Sequence, residues 1–380
     1  MSFKPSSHLA SKPPCRVGFD LSILDRVDTG TSVYAWNLFQ SLKELGQADF
    51  EFIELRAPKP LPRKNILTKF SNFALEIFWL NILLPAKARK LRLDLLHMPA
   101  NIISPTLRIP QVCTIHDAHF ITNPKGRDSL WRLYARWSFR YAARHADQII
   151  CVSNASRDEV VRLLGADPEN IDVVPNGLPH RVSQAADLEA AAKYAPYILT
   201  VGSTDPNKNF PALVEAFAEL IATGRAQDHK LVLAGPPGSD HPNLEKLINE
   251  KSLQNHVILA GRVSDSRLAA LYQKASLFAF PTLCEGFGFP PLEAMSYGVA
   301  VAASNAPCVP ETLGEAALFF DPRDITAMAD KIHLLLSNQE LRDRLIQAGY
   351  EQAKKFTWEK TAELTMASYR SKLAKAGTKG

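Results

Sequence analysis

The sequence has few cysteines and no long apolar segment. Its five cysteines are odd in number, are scattered and include no C-x-x-C pair, which argues for a reducing cytoplasm and against a zinc site. The longest apolar stretch, residues 77–86, is about half the length of a membrane-spanning helix. The beginning, MSFKPSSHLASKPPC, is polar and proline-rich, without a secretory signal pattern. We therefore expect a cytoplasmic protein that is not integral to a membrane.

Positive charge is concentrated in the first part of the chain. Residues 1–147 hold 21 Lys and Arg against 12 Asp and Glu, whereas residues 181–380 hold 21 against 22. This asymmetry predicts an N-terminal surface that faces phosphate, nucleic acid or anionic lipid. The whole chain, with 380 residues, 46% hydrophobic and 22% charged, has the composition of a globular enzyme of two domains.

Short apolar runs alternate with segments of helical period, which is typical of parallel α/β layers. Strands are predicted at residues 16–23, 50–55, 94–97, 111–115, 148–152 and 170–174, and then at 197–201, 230–234, 257–260, 277–280, 299–303 and 317–319. Between the two series, a segment near 178–195 carries Pro, Gly and Ser and is the predicted interdomain link. Ligands of such sheets bind beyond the carboxyl ends of the strands.

One strand-end stretch, PTLCEGFGFPPLEAMSYG at 281–298, combines two acids with two close glycines. The preceding apolar run predicts a strand, and the Pro-Pro pair predicts the opening of a helix after a glycine-rich loop. Gly286 and Gly288 let the backbone approach a ligand, because no Cβ stands in the way. Glu285 is then expected in the loop and Glu293 in the first helical turn, where both could face one crevice.

Three other strand ends carry candidate residues. Gly30 stands just before a helical pattern, His116 and Asp117 end another predicted strand, and Gly202 precedes Lys208 and a helix. Helix N-termini offer N–H groups to phosphate, and Lys208 adds a full charge. Because the two glutamates suit hydroxyl recognition, these parts together fit a sugar attached to a diphosphate. Transfer of such a sugar depends mainly on stabilising the leaving diphosphate.

The segment EGFGFPPLEAMSYG, followed by VAVAASNAPCVPETLGEAALFFDP, resembles the donor-site signature of retaining glycosyltransferases of the GT-B fold. These belong to the large family that contains bacterial mannosyl- and glucosyltransferases. The similarity extends through TVGSTDPNKNFPALVEAF and FTWEKTAELTMASYRSKL, and more thinly through Gly30, the His-Asp pair and VVPNG. It implies two facing Rossmann-like domains, an acceptor-binding one at 1–180 and a nucleotide-sugar-binding one at 195–357, with a last helix at about 358–380 crossing back to the first.

The resemblance also implies roles for individual residues. Glu285 would contact the transferred sugar, Glu293 the nucleotide ribose, and Lys208 the diphosphate. His116, predicted to be catalytic together with Glu285 and Lys208, would lie near the sugar on the opposite wall. The remaining predicted donor-binding residues are Gly30, Asp117, Gly202, Arg262, Gly286, Phe287, Gly288 and Phe289, the last four through backbone amides.

One departure from the family concerns phosphate binding. The family often has an arginine in the 202–208 loop, but Ser203, Thr204 and Asn207 occupy the corresponding positions here. Phosphate affinity is then expected to depend on Lys208, on helix dipoles or on another arginine such as Arg262. The family uses no metal in this role, and the chain has no Asp-x-Asp motif, so neither metal nor cofactor is expected.

Each candidate residue also has a purely structural interpretation. Glu293 could complement the helix macrodipole, and Glu285 could be a solvated loop acid. The His116 and Asp117 pair could cap a strand end, Lys208 could be a surface lysine, and Gly30 could serve a tight turn.

A second pattern lies in SLWRLYARWSFRYAARHAD. Arginines recur every four positions, at Arg132, Arg136, Arg140 and Arg144, beside Trp131, Tyr134 and Tyr141. A further basic cluster comprises Lys87, Arg89, Lys90 and Arg92. Such a helix could lie against anionic lipid or meet a lipid-linked acceptor. The alternative is a solvated arginine face backed by core aromatics.

These observations predict a retaining, metal-independent hexosyltransferase. The donor is expected to be GDP-mannose, because the HDAHF and TVGSTDPNKN loops resemble the mannosyltransferase branch, with a UDP-sugar as the alternative. The acceptor would be a saccharide or lipid-linked sugar in cell-surface polysaccharide assembly, on the cytoplasmic side and peripheral to the membrane, with no nucleic acid partner. A GT-B sugar-nucleotide epimerase and a non-catalytic nucleotide-sugar binding protein remain alternatives.

Overall fold

The computed structural model describes residues 13–26, 29–46, 48–62, 66–118, 121 and 129–377, which form two parallel β-sheets. The N-terminal sheet consists of β1 Cys15–Asp20, β2 Phe50–Leu55, β3 Leu95–Met98, β4 Gln111–Ile115, β5 Gln148–Cys151 and β6 Ile171–Val173. The C-terminal sheet consists of β7 Tyr197–Val201, β8 Lys230–Ala234, β9 Val257–Gly261, β10 Leu277–Phe280, β11 Val301–Ser304 and β12 Ala317–Phe320.

Helices cover the sheets and connect successive strands. In the N-terminal part they are α1 Gly30–Leu45, α2 Ile66–Phe78, α3 Leu84–Lys90, α4 Ser129–His145 and α5 Asn154–Glu159. The remaining helices are α6 Ala185–Ala192, α7 Phe210–Ala222, α8 His241–Glu250, α9 Asp265–Lys274, α10 Phe289–Ser296, α11 Cys308–Leu313, α12 Ile325–Ser337, α13 Gln339–Ala353 and α14 Trp358–Gly377.

The strand order of each sheet determines where a ligand can bind. The orders are β2-β1-β3-β4-β5-β6 and β12-β11-β10-β7-β8-β9, and every neighbouring pair is parallel. In the C-terminal sheet the order reverses between β7 and β10, and such a reversal leaves a crevice beyond the carboxyl ends of these two strands. The predicted α/β class with two Rossmann-like sheets is confirmed.

The strands were readable from sequence because the sheets are covered on both faces. β4 and β10 are buried at every position, so their sequences QVCTI and LFAF do not alternate between polar and apolar residues. One predicted strand end was wrong by three residues. β1 ends at Asp20 rather than at residue 23, because the Asp20 carboxylate accepts hydrogen bonds from the backbone N–H and hydroxyl of Ser22 and turns the chain into a 3-10 helix.

The segment predicted as the interdomain link contains α6 and is attached to the C-terminal sheet. The Ser183 hydroxyl donates to Gln273 at 3.0 Å, and the Ser266 hydroxyl donates to Asp187 at 2.5 Å. α6 packs against α9. Residues 183–192 therefore belong to the covering of the C-terminal sheet.

The last helix, α14, returns to the N-terminal sheet and packs against α1. The Tyr369 side chain is fully buried, and its hydroxyl lies 2.5 Å from Nδ1 of His97 on β3. The other ring nitrogen of His97 lies 2.8 Å from the Thr114 hydroxyl on β4. This buried hydrogen-bonded chain fixes the C-terminal helix to the strands that lead into the interdomain crevice.

Stability should respond to pH through His97. Burial, together with the nearby His116, lowers the pKa of His97 to about 3, whereas an unfolded histidine has a pKa of about 6.5. Between these values the unfolded chain binds a proton that the folded chain does not, so stability falls as the pH is lowered. We expect the melting temperature to drop less between pH 7 and pH 5 in His97→Gln than in the wild type. The exposed His180→Gln variant is the control, and an equal drop in all three proteins would contradict this assignment.

Candidate active site

Lys208 and Glu285 meet at the reversal point of the C-terminal sheet. Lys208 follows β7 and Glu285 follows β10, and the Lys208 Nζ lies 2.5 Å from Glu285 Oε1. Their side chains are 18% and 15% exposed. The two residues are 77 positions apart in sequence and are neighbours because β7 and β10 are adjacent strands.

The backbone around Lys208 leaves little freedom to its side chain. Asn209 adopts a left-handed conformation, with φ of 57°, and its amide donates to the carbonyls of Pro281 and Pro322. A Cβ at Gly202 would lie 3.3 Å from Lys208 Cδ, so the lysine stem rests on the glycine backbone. Gly202 therefore contributes by letting the lysine lie close to β7.

The charge of Lys208 is maintained by its partner. Burial alone would lower the pKa of Lys208, but the Glu285 carboxylate outweighs burial, and the pKa is raised above its usual value. Asp117 acts in the same direction from the N-terminal side. Lys208 is therefore an ammonium at neutral pH, and it stands where a phosphate could take the place of the glutamate.

The glycine-rich loop of the C-terminal sheet is held by hydroxyls. The Gly286 carbonyl accepts hydrogen bonds from Ser153 at 2.7 Å and from Ser156 at 2.9 Å, both from the N-terminal part, and Phe287 accepts one from Thr312 at 3.0 Å. Because a peptide N–H points opposite to its carbonyl, the amides of Phe287 and Gly288 point away from these hydroxyls. Both amides are thereby fixed in direction.

The His116 and Asp117 pair forms the facing wall. A Cβ built on Gly286 would overlap the His116 carbonyl oxygen and would approach the Asp117 Cβ to 3.3 Å. The Ser156 hydroxyl also lies 2.8 Å from the His116 carbonyl. Gly286 is therefore required by close contact between the two halves of the protein, which the motif alone did not show.

His116 is held as a neutral ring. Its Nε2 lies 2.9 Å from the Pro99 carbonyl, which can only accept, so Nε2 carries the proton and Nδ1 is unprotonated. Burial lowers the pKa of His116, and Pro99 and Asp117 offset this only in part. Nδ1 of His116 can therefore accept a hydrogen bond, and the ring provides no positive charge to a phosphate at neutral pH.

Gly30 lies near the same loop as the first residue of α1. A Cβ there would lie 3.7 Å from the Phe289 ring, an ordinary contact distance. Phe289 in turn lies 6.5 Å from Trp358 of α14, centroid to centroid. A methyl group would therefore fit at Gly30 in this structure. The prediction that Gly30 leaves room for a donor phosphate stays a prediction.

A polar cavity of about 330 Å³ opens beside Glu285. Ala155 and Glu159 of α5 line one side, and Cys284, Glu285 and Arg323 line the other. Charged groups of both signs around a space of this size suit a ligand rich in hydroxyl groups.

Glu293 has a different environment from the one expected. It lies in the second turn of α10 and is 5% exposed, and its Oε1 accepts a hydrogen bond from Arg181 at 2.6 Å. The expectation that Glu293 lies in the first helical turn was therefore wrong, and its predicted contact with the nucleotide ribose stays a prediction. Sequence reasoning missed Arg181 because an arginine in a polar link between two domains has no signal that distinguishes it from a solvated one.

Family models match both halves of the chain. The model described as Glycosyltransferase Family 4 matches residues 29–181, and that described as Glycosyl transferases group 1 matches residues 187–352. An Escherichia coli protein named O-antigen chain mannosyltransferase B is 31% identical over 68% of this chain and 70% of its own length. The chain belongs to the group 1, family 4 glycosyltransferases. It spans about a third of three longer mannosyltransferases that match at 27–28% identity.

Solved glycosyltransferases share the fold of this one. Sucrose-phosphate synthase from Thermosynechococcus elongatus superposes with a TM-score of 0.75 at 20% identity, over 95% of this chain and 99% of that one. The Anabaena protein HepE, solved with UDP and glucose, superposes with a TM-score of 0.70 at 18% identity, over 94% and 100%. These similarities establish the GT-B architecture for this chain.

Arg262 of this glycosyltransferase keeps its phosphate-binding role only as a prediction. It is exposed and follows β9, the edge strand, which is two strands away from β7. Neighbouring strands are about 4.8 Å apart, so about 10 Å separates the two strand ends. Within the described ranges, no group of three or more His, Cys, Asp or Glu side chains could hold a metal ion.

The contact at Gly286 gives a direct test of the site. We expect Gly286→Ala to lower kcat/KM by about a hundredfold, because its methyl group must push the loop away from His116 and misplace the reacting groups. Transfer from the nucleotide sugar is measured together with the melting temperature. Gly349→Ala is the control, since its methyl group also makes a close contact, 3.0 Å from Met295 Cγ, but lies outside the glycine-rich loop. Wild-type turnover in a folded Gly286→Ala protein would contradict the placement.

Proposed function

We propose that this glycosyltransferase moves mannose from GDP-mannose to a saccharide or lipid-linked acceptor, with retention of anomeric configuration, in the assembly of a cell-surface polysaccharide. The observation that supports the proposal is the Lys208–Glu285 pair at the strand reversal, which faces the His116 wall across the crevice. The names of the relatives, which include mannosyltransferases of O-antigen chains, support the choice of sugar and pathway.

The Lys208–Glu285 pair can bind both the diphosphate and the sugar of the donor. When the diphosphate arrives, the Lys208 ammonium can turn to its oxygens, and Glu285 is released to accept hydrogen bonds from sugar hydroxyls. Exchange of one anion for another keeps the lysine charge compensated, which limits the cost of moving charge inside a half-buried site. The fixed amides of Phe287 and Gly288 would bind the sugar, and the ammonium would stabilise the diphosphate as it leaves.

In this scheme the diphosphate of the donor acts as the catalytic base, and no side chain is needed for that role. The departing diphosphate takes the proton of the acceptor hydroxyl while the acceptor attacks on the same face of the sugar, so the C–O bond to the diphosphate breaks as the new glycosidic bond forms. His116, a neutral ring on the facing wall, orients sugar hydroxyls. The reaction would proceed without a metal, since Lys208 and the nearby helix N-termini supply the positive charge.

The N-terminal half also has a surface suited to a lipid-linked acceptor. α2 exposes Leu67, Phe70 and Phe73, and α4 exposes Leu133 and Trp137. The Phe73 ring packs against Tyr134 with its centroid at 4.9 Å, so the two helices form one face. We call these five exposed residues the aromatic face. Exposed apolar side chains gathered in this way mark an interaction site rather than ordinary surface.

Exposed basic side chains lie on or next to helices of the same N-terminal half. Arg136 and Arg144 are exposed on α4, and the cluster Lys87, Arg89, Lys90 and Arg92 is exposed at the end of α3 and just after it. The side chains of Trp131 and Arg132, which the sequence pattern included, lie outside the described residues. No helix in the described ranges is long and apolar enough to cross a bilayer. Aromatic and cationic groups together suit the surface of an anionic membrane, where we propose that the enzyme meets its acceptor.

Glu285 and Lys208 should be essential for transfer. We expect Glu285→Gln and Lys208→Met each to lower turnover by about a hundredfold or more, the scale of losing one preorganised electrostatic contact.

The wild type and both variants are incubated with GDP-mannose, UDP-glucose and other nucleotide sugars, with and without acceptors. Products are identified by mass spectrometry, and their anomeric configuration is determined by NMR. Donor conversion without an acceptor would indicate an epimerase. Binding without conversion would indicate a non-catalytic binding protein, and near-normal transfer by either variant would contradict the site.

The aromatic face should govern binding to vesicles. We expect the protein to sediment with vesicles containing anionic phospholipid at low salt, and binding to weaken as salt screens the arginines. Phe70→Ser with Trp137→Ser should reduce the bound fraction several-fold without slowing transfer to a water-soluble acceptor. Vesicles of neutral lipid are the control, and a wild-type protein that remains in the supernatant at low salt would overturn the membrane proposal.

A further inference from the structure

Arg181 reaches from the segment between the two sheets into the C-terminal site. Its Nη1 donates to Glu293 at 2.6 Å and its Nε donates to Asp265 at 2.9 Å, and its side chain is only 12% exposed. Asp265 is the first residue of α9, and Glu293 lies in α10. One guanidinium therefore joins the start of α9, which follows the edge strand β9, to α10, which follows β10 at the strand reversal.

We propose that Arg181 is a positioning residue for donor binding, which holds the Glu293 carboxylate ionised and fixed in orientation for the hydroxyl groups of the donor ribose. This inference rests on the proposed function and on the contact with the donor ribose that the family resemblance implies for Glu293. Arg181 itself is not a catalytic residue, because it acts through the carboxylate that it binds.

Glu293 needs such a partner because of where it lies. Burial raises the pKa of Glu293, Arg181 lowers it, and the net shift is upward. The other groups that face the carboxylate are Asp265 and Tyr272 of α9 and Tyr297 at the end of α10. The negative charge of Asp265 raises the pKa of Glu293 further, and the Arg181 guanidinium counters both effects. Without Arg181, a buried Glu293 would take up a proton at a higher pH.

The backbone holds Arg181 in place for this role. The Tyr297 hydroxyl donates to the Arg181 carbonyl at 2.7 Å, and the backbone N–H of Gln184 donates to the Ser266 hydroxyl at 3.0 Å. The planar guanidinium can then bind both carboxylates at once, which a lysine cannot reproduce. Arg181 binds Oε1 of Glu293, and the Tyr272 hydroxyl also hydrogen-bonds this carboxylate. A carboxylate can accept about four hydrogen bonds, so Glu293 keeps acceptor capacity for a ribose hydroxyl.

A matched arginine provides the control. Arg225 also binds two carboxylates, Glu219 at 3.0 Å and Asp330 at 2.7 Å, and its side chain is 23% exposed. It follows α7, at the end opposite to Lys208. Arg225→Gln removes a comparable pair of contacts away from the proposed site, so it separates a loss of stability from a loss of donor positioning.

The test measures nucleotide affinity as well as turnover. GDP and UDP are titrated calorimetrically into the wild type, Arg181→Gln, Arg181→Lys, Glu293→Gln and Arg225→Gln between pH 5 and pH 8.5, and donor KM and kcat are measured in parallel. We expect Arg181→Gln to weaken binding of the better diphosphate by about tenfold or more, the scale of a lost charged hydrogen bond. Donor KM should rise by a similar factor, with kcat within about threefold of the wild type.

The pH profile distinguishes positioning from a general structural effect. In Arg181→Gln the weakening of binding on the acid side should begin at a higher pH than in the wild type, because protonation of Glu293 then begins at a higher pH. Arg181→Lys should weaken binding, but its loss of nucleotide affinity at low pH should begin closer to the pH at which it begins in the wild type. In Glu293→Gln, the part of this low-pH loss that comes from protonation of Glu293 should be absent. In the double variant Arg181→Gln with Glu293→Gln, the loss of binding free energy should be smaller than the sum of the losses in the two single variants.

Three results would count against the inference. Wild-type affinity and pH profile in a folded Arg181→Gln protein would overturn it and leave the proposed function intact. An equal loss of affinity in Arg225→Gln would show that the effect of Arg181→Gln comes from a general loss of stability, and it would also overturn the inference. A wild type that binds neither GDP nor UDP would overturn the proposed function, and the inference with it. If Arg181→Gln does not fold, Arg181→Lys and Glu293→Gln provide the same comparison.

Discussion

The site depends on an ammonium and a carboxylate that are held 2.5 Å apart at the reversal of a parallel sheet. Taking two charges largely out of water is costly, and their attraction compensates only when the geometry is fixed. The fold fixes it from both sides. Lys208 leaves β7 through a turn tied by Asn209, and Glu285 leaves the adjacent β10 through a loop held by hydroxyls of the other half of the protein. The parallel order of the C-terminal sheet, with β7 beside β10, is what makes the two charges neighbours.

The same loop joins the two halves. Ser153 and Ser156 bind the Gly286 carbonyl, while the backbone of His116 leaves no room for a Cβ at that position. α14 adds a second connection, because Tyr369 ends a buried chain of hydrogen bonds through His97 to Thr114. A glycosyltransferase has to bring donor and acceptor together without water. These contacts place the Gly286 loop directly on the wall that carries His116.

Much of the fold could be predicted from the sequence. Strands such as β4 and β10 are covered on both faces, and their apolar runs mark them without any knowledge of their neighbours. The glycines and acids of residues 281–298 likewise indicated a ligand loop before a helix. The end of β1 was missed, because a local hydrogen bond from the Ser22 N–H to the Asp20 carboxylate overrides the apolar pattern that continues to Ile23.

The sequence by itself determined the two-sheet α/β architecture and the loops that carry Lys208, His116 and Glu285, because burial and backbone freedom leave local patterns in a chain. The tertiary structure alone decided which partners these residues have. Glu293 is paired with Arg181, which lies 112 positions earlier, and Gly286 is a glycine because of the His116 carbonyl. Contacts of this kind follow from strand order and from the packing of one half against the other. No short segment of the chain carries that information.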